Sequence, residues 1–353
     1  MNSCYEVRSF VPEYRDSLED LYRAIYGEVW REKTSLDWTL DHPLAEAGAA
    51  IAVKGDVVVS AQPYCDFPLH TPWGTARTTL FLDVATRPDH QRRGLFRQVV
   101  SAATAAAFAR GTSIIMTTPN RISFQGFQTL PGWVQLCSLD CMFLPLGAGD
   151  RIDNSGLFSL GLRGALSMAS LVCKSTAQQR STRQIRCNIE TPWSPSSEAD
   201  ELWDRAVAHV GISVVRDRAF LRWRFGSNYH LFVTRNERGI SGYAAARIIS
   251  RAGLKIGMIL DCVTSNDQAS SLSLLSSVIA WLREQRASAA IGYFLRGSAP
   301  WHHVRTAGFV RIPSFCTPRD YPVCVNVRPG DSHSDDLLNT SHWHLSLADS
   351  DLA

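Results

Sequence analysis

Apolar and polar positions change rhythm sharply between Leu80 and Val100. Leu80, Phe81, Leu82 and Val84 form an apolar run of strand type, which Arg87-Pro88-Asp89 breaks. A short basic loop follows, Gln91-Arg92-Arg93-Gly94. A helical pattern then begins at about Leu95 and continues through an alanine-rich segment to about Arg110. Further on, Ile114-Ile115-Met116 predicts a buried strand. Pro119-Asn120 predicts a break, followed by a short helix and a stop at Gly132-Trp133.

The same order returns in the second half. The segment from Met258 aligns with the segment from Leu80, placing Asp261 on Asp83, Thr264 on Thr86 and Asp267 on Asp89. Leu221-Arg222-Trp223 echoes Leu36-Asp37-Trp38, and Ala307-Gly308-Phe309 echoes Pro131-Gly132-Trp133. A repeat of this length predicts duplication of a whole domain. The expected division is 1–146 for the first domain, 147–200 for a linker, 201–330 for the second domain and 331–353 for a tail. The linker begins with a helical pattern and turns polar and basic. The tail, with its Ser341-His342-Trp343-His344 run, is read either as packed back on a domain or as frayed.

Strand, glycine loop and helix N-terminus together make an anion site. The first amides of a helix have no intrahelical partner, and the helix dipole adds partial positive charge there. Gly94 lets backbone approach a ligand, and Arg92 and Arg93 add charge suited to a polyphosphate. Gln91-Arg92-Arg93-Gly94-Leu95-Phe96 resembles the Q/R-x-x-G-x-G/A loop of the GNAT superfamily, the acyl-CoA N-acyltransferases, with Phe96 in place of the final Gly or Ala. Asp83 to Asp89 resembles that family's fourth strand and its exit. Ser113 to Trp133 resembles its fifth strand, following helix and closing turn.

The resemblance implies an α/β fold of two tandem domains, each a mixed, mostly antiparallel sheet flanked by helices. It implies acetyl-CoA or another acyl-CoA as cofactor. Its binding falls to Val84, Ala85, Thr86, Gln91, Arg92, Arg93, Gly94, Leu95, Phe96, Asn120 and Ser123. Asn120 is read either as a contact to the pantetheine arm or as a turn-former beside Pro119. In the second copy Ala269-Ser270-Ser271-Leu272 replaces the basic loop, so glycine and charge are both lost. The first half is therefore expected to hold the acyl-CoA, and the second to supply scaffold and part of the acceptor pocket.

The implied reaction is direct attack of an amine on the thioester, which needs a base, an oxyanion donor and an acid for the thiolate. Asp83 is the candidate base. Strand alternation places it on one face with Ala85, with Val84 and Thr86 on the other. Its apolar neighbours Phe81, Leu82 and Val84 are expected to desolvate it and raise its pKa. The alternative is an Asp bound to backbone or to an arginine, and the persistence of Asp261 in the degenerate copy favours that reading. The oxyanion donor is a backbone N–H between Val84 and Thr86. The family's thiolate tyrosine falls on Gln128, which donates a hydrogen bond but no proton. Tyr64, His302 and His303 are the substitutes.

A chain of 353 residues accommodates two domains. The net charge of +3 makes no case for nucleic-acid binding. The N-terminus has no apolar run of signal-peptide type. Leu157–Cys173 is shorter than a spanning helix and carries Arg163, which argues against stable membrane insertion and for a helix packed on the body or bridging the two halves, with a membrane-surface contact as the alternative. The nine cysteines form no C-x-x-C pair, and Cys137 and Cys141 lack companions for a zinc site. They read as free thiols, with no metal, in a cytoplasmic protein. The tandem arrangement resembles bacterial acyltransferases of amino-sugar and polysaccharide building, which implies a small-molecule amine acceptor, possible amino sugars included. The alternatives are an inactive tandem domain that binds CoA or a protein partner, and an aminoacyl-tRNA-dependent transferase of the peptidoglycan-bridge type. Oligomeric state is left open.

Overall fold

The computed structural model describes residues 5–27, 40, 46–146, 188–226, 228–237, 239–251, 253–265, 268–314, 317 and 319–350. The expected linker through residue 187, the Leu157–Cys173 stretch, Leu36-Asp37-Trp38, Cys4 and Asp267 lie outside the described residues. The chain divides into two compact units. One comprises Met1–Cys137 with Pro322–His342, the other Ser138–Tyr321 with Trp343–Ala353.

In chain order the first elements are β1 (Glu6–Ser9), α1 (Arg15–Tyr26), β2 (Ala47–Lys54), β3 (Val57–Thr71), β4 (Gly74–Phe81) and β5 (Ala85–Thr86). Then come α2 (Leu95–Ala109), β6 (Ile114–Thr117), α3 (Arg121–Gln128), β7 (Trp133–Ser138) and β8 (Asp140–Pro145). The next run is β9 (Asn188–Glu190), α4 (Ser197–Val210), β10 (Ser213–Val214), α5 (Arg218–Arg224), β11 (His230–Asn236), β12 (Gly239–Arg251) and β13 (Leu254–Thr264). Last are α6 (Gln268–Glu284), β14 (Ala289–Phe294), α7 (Ala299–Thr306), β15 (Val310–Arg311), β16 (Pro322–Val327) and α8 (Ser334–Leu338).

The sheet of the first unit runs β1-β2-β3-β4-β6-β16-β7. Its described pairs are antiparallel except β4 with β6, which are parallel. Helix α2 covers one face because Leu95, Val99, Val100, Ala103 and Ala107 fall on one side at helical spacing. They pack on Ala50, Ala52, Val59, Phe81 and Ile115. Helix α1 covers the other face through Leu18, Leu21 and Tyr22, against Ile51, Val53, Val58, Ala61 and Ala85. The second unit repeats the plan in a sheet ordered β15-β8-β14-β13-β12-β11-β9, with β13 and β14 parallel. There α6 buries Leu274, Leu275, Val278, Ile279 and Leu282 on the sheet. Both units are mixed α/β, as the resemblance implies.

The contiguous division expected from the sequence needs correction. Strand β8 lies in the second sheet between β15 and β14, and β16 lies in the first sheet between β6 and β7. Each sheet thus takes an interior strand from the other half of the sequence. An apolar six-residue strand carries no label for its partner, so only competition between edges decides where it pairs.

The tail is packed, not frayed. Leu295 N–H donates to Leu345 O (3.2 Å), and Ser346 bridges Phe294. The turn Leu347–Asp349 rests against both β13 and β14. Among the described residues no helix is long and apolar enough to cross a membrane.

Candidate functional site

Strands β4 and β6 pair from Thr78 with Ile114 to Leu80 with Met116, and no further. Beyond that point the two strands part. Strand β4 ends at Phe81, opposite Tyr64, and pairing to β3 resumes at Ala85, opposite Ala61. Leu82, Asp83 and Val84 therefore face only Gln62 and Pro63, which makes a bulge. Asp83 takes a φ of +33°, uncommon for a residue with a side chain. Val84 and Ala85 fall on opposite faces, as alternation expects, but Phe81 shares the face of Val84, so the extra residue shifts the pleat between them. Val84 packs towards the α2 face and Ala85 towards the α1 face. Asp83 is half-buried.

Side chains bond the carbonyls of this bulge. Tyr22 Oη donates to Asp83 O (2.9 Å), and Gln62 Nε2 to Leu82 O (3.0 Å) and Pro63 O (2.7 Å). Ser60 Oγ donates to Ala85 O (2.8 Å) and also meets Thr86 Oγ1 (2.8 Å). Sequence reasoning singled out none of these three residues. The available signal was polar Ser60 and Gln62 inside the apolar run Val57 to Tyr64.

The basic loop follows a short 3-10 turn, Pro88–His90. Gln91 Nε2 reaches back to Thr86 O (3.4 Å), tying loop to strand end. Arg92 has a φ of +59°, and Gly94, with a φ of +76°, is the N-cap of α2. A glycine cap offers no side chain to the first amides, and the first turn contains no acidic residue. A Cβ placed on Gly94 would meet only Gln98 Nε2, at 3.9 Å, so the loop has open space beside it. Gln91, Arg92, Arg93 and Arg97 are exposed, while Leu95 is buried beneath them.

Phe96 does not fill that space. Its ring packs edge-on against Phe127 (centroids 5.3 Å apart) and lies over Gly126. Asn120 is the N-cap of α3. Its Oδ1 accepts from Ile122 N–H (2.9 Å), Ser123 N–H (3.0 Å) and Ser123 Oγ (3.2 Å). The turn-forming reading of Asn120 is thus realised in full. Tyr64 is half-buried under the Arg110 guanidinium, 4.4 Å from its ring centroid, with its hydroxyl above Gly48. Burial pushes its phenol pKa up, partly offset by Arg110. Tyr64, Val84, Leu95 and Phe96 share one apolar cluster. Gln128 is exposed at the end of α3. His302 and His303 lie on α7 of the second unit, where burial lowers the pKa of His303.

The second copy lacks the loop. Helix α6 already begins at Gln268, so Ala269 to Leu272 fall inside its first turns. Ser270 and Ser271 are buried and bond Ser241 Oγ (3.1 Å) and Thr264 Oγ1 (2.9 Å), where the first copy exposes arginines. Asp261 is buried and paired with Arg216, Nε to Oδ2 3.0 Å. Among the described residues no three His, Cys, Asp or Glu side chains are grouped to hold a metal ion.

Residues 11–127, which span α1, the bulge, the glycine loop and α3, match the model of a family described as an acetyltransferase (GNAT) domain. Over those residues, about a third of the chain, the sequence is similar to a GNAT acetyltransferase domain. Three solved structures share the fold along 92% of the chain, each with a TM-score of 0.58. One is a conserved protein of unknown function from Enterococcus faecalis V583, described as a probable N-acyltransferase (10% identity, 73% of that chain covered). Another is a GCN5-related N-acetyltransferase from Anabaena variabilis ATCC 29413 (10% identity, 73% covered). The third is a GCN5-related N-acetyltransferase from Kribbella flavida (13% identity, 71% covered). At these identities the likeness is one of GNAT-type fold. No curated protein matches the sequence. The family match supports acyl transfer, in the broad sense, for residues 11–127.

Proposed function

We propose that the protein is an acyl-CoA-dependent N-acyltransferase. In this reading it moves an acetyl or other acyl group to a primary amine of a small molecule, such as an amino sugar. The observation that carries this reading is the uncapped N-terminus of α2. It stands behind an open glycine loop with exposed Arg92, Arg93 and Arg97, directly after a bulge where two parallel strands part. That arrangement fits a diphosphate at the loop and an extended arm at the strand ends.

The bound donor supplies the activated thioester. In this reading Gln91, Arg92 and Arg93 and the amides from Gly94 to Phe96 bind the diphosphate. Val84, Ala85 and Thr86 line the arm. The Val84 N–H has no partner among the described residues and is the donor for charge developing on the acyl oxygen. Asp83, half-buried in the bulge, takes the amine's proton. Tyr64, a phenol that is protonated at neutral pH and that burial pushes further up, is the proton source for the leaving thiolate. Asn120 Oδ1 is occupied in capping α3, so only Nδ2 of Asn120 and Ser123 remain for the donor's arm.

Acetyl-CoA at millimolar concentration should raise the melting temperature, and Gly94→Glu should abolish that rise. The substitution combines a strained φ with a negative charge at the phosphate position. An unchanged melting temperature for the wild-type protein would contradict the reading. Thiol release from acetyl-CoA against a panel of amines tests turnover. Exposed Gln128 at the family's tyrosine position favours a second reading, a domain that binds CoA without catalysis. Binding with no thiol release on any amine would select it.

A further inference from the structure

We infer that Tyr22 and Gln62 are positioning residues for acyl transfer, holding the bulge at Leu82-Asp83-Val84 so that the Val84 amide stays open. The inference rests on the acyltransferase reading above.

A bulge removes ladder partners from the residues inside it. Here the Leu82 and Asp83 carbonyls accept from side chains, and the Val84 amide has no partner among the described residues. Leu82 N–H donates to Pro63 O (3.1 Å) and Arg87 N–H to Val59 O (2.9 Å), closing the ladder on either side. Between them the Leu82 carbonyl accepts from Gln62 and the Asp83 carbonyl from Tyr22. Asp83 is held at its positive φ by a hydroxyl from α1 on one side of the sheet. Gln62 approaches from the neighbouring strand. The two bonds fix the peptide planes before and after Asp83, and so the direction of the Val84 N–H, which belongs to the second plane.

Both clamping side chains are buried, Tyr22 at 0% and Gln62 at 1% exposure. Gln62 is not the choice that stability alone would make. Gln62 points Nε2 at two carbonyls, which fixes its amide orientation, since the flipped form would place oxygen against oxygen. Its Oε1 is then buried without a partner among the described residues. An unpaired buried oxygen is costly, and an apolar residue at this core position avoids that cost. The bond to Leu82 is what the glutamine contributes in return.

The test compares acetyl-CoA with CoA by calorimetric titration of the full chain. Both ligands use the same loop, and only acetyl-CoA brings an acyl oxygen to the bulge. Tyr22→Phe removes one hydroxyl at constant ring volume, and Gln62→Met removes both amide groups at similar length. Each should lower the ratio of acetyl-CoA to CoA affinity about fivefold, the worth of one hydrogen bond, with CoA affinity unchanged. Unchanged CoA binding also reports that the variant is folded. Leu18→Ala, in the same α1 cluster, should lower the melting temperature and leave the ratio alone. If Gln62→Met does not fold, Tyr22→Phe decides.

A wild-type ratio of one, a ratio unmoved in the folded variants, or an equal fall in Leu18→Ala overturns the positioning role. Those outcomes leave the CoA-dependent reading standing. Wild-type protein that binds neither ligand overturns both.

Discussion

Gly94 and Asn120 head consecutive helices of the first unit and do opposite things. Asn120 closes the first amides of α3 with its own oxygen, whereas Gly94 has no side chain and leaves those of α2 open. The contrast separates a helix start closed by its own side chain from one left open, and both were legible as residue types at helix starts. Asn120→Ala should cost about 1 kcal/mol of stability in urea unfolding, and Asn120→Asp much less, because an aspartate oxygen caps equally well. Asp83 was legible as a carboxylate on an apolar strand. Its left-handed backbone was not, since nothing local in an Asp-Val-Ala-Thr sequence demands a positive φ.

At the scale of elements, α2 came out close to its expected bounds and α3 fell between the expected break at Pro119-Asn120 and the stop at Gly132, since helical spacing and caps are local signals. The departure of Phe96 from a Gly or Ala acquires a structural reason. Its ring is the contact between the two helices, seated on Phe127 and over Gly126. A Cβ on Gly126 would lie 2.6 Å from that ring. Gly126→Ala and Phe96→Ala should each destabilise, the second by about 1–2 kcal/mol for a half-buried ring. Together they should cost less than the sum, because removing the ring relieves the added methyl. A double-mutant cycle measured by chemical denaturation checks this, and strict additivity would contradict the contact. The bulge was beyond reach of the pattern. Three residues facing two is a property of two strands together, and the alternation of one strand cannot register it.

For the whole molecule, the tail and the second copy form one structure. Buried Arg216 joins Asp261 (3.0 Å) to Asp349 (2.7 Å), and Ser346 Oγ and Tyr243 Oη also donate to Asp261. The persistence of Asp261 without a glycine loop is thus explained by an arginine partner and by the tail it anchors. Arg216→Met removes the guanidinium shared by two buried carboxylates and should cost about 3–5 kcal/mol in thermal or chemical unfolding. Burial alone would raise the Asp261 carboxyl. Arg216 above all, with His344 and Tyr243, outweighs it and holds the group well below the usual carboxylate range. A depressed carboxylate stabilises the fold above its unfolded pKa of about 4, and the contribution is lost as pH falls below that. Unfolding followed from pH 6 to pH 2 should therefore show a steep loss of stability below about pH 4. That slope should flatten in Asp261→Asn.

The sequence by itself determined the mixed α/β elements, the glycine loop with its arginines and the helix starts. All of these are written in neighbouring residues through spacing, capping and charge. Tertiary structure alone decided which sheet receives β8 and β16, how β3 bends the strand at Asp83, and what the tail anchors. Strand partners and buried ion pairs join residues far apart in the chain, and their energies exist only once both ends have met.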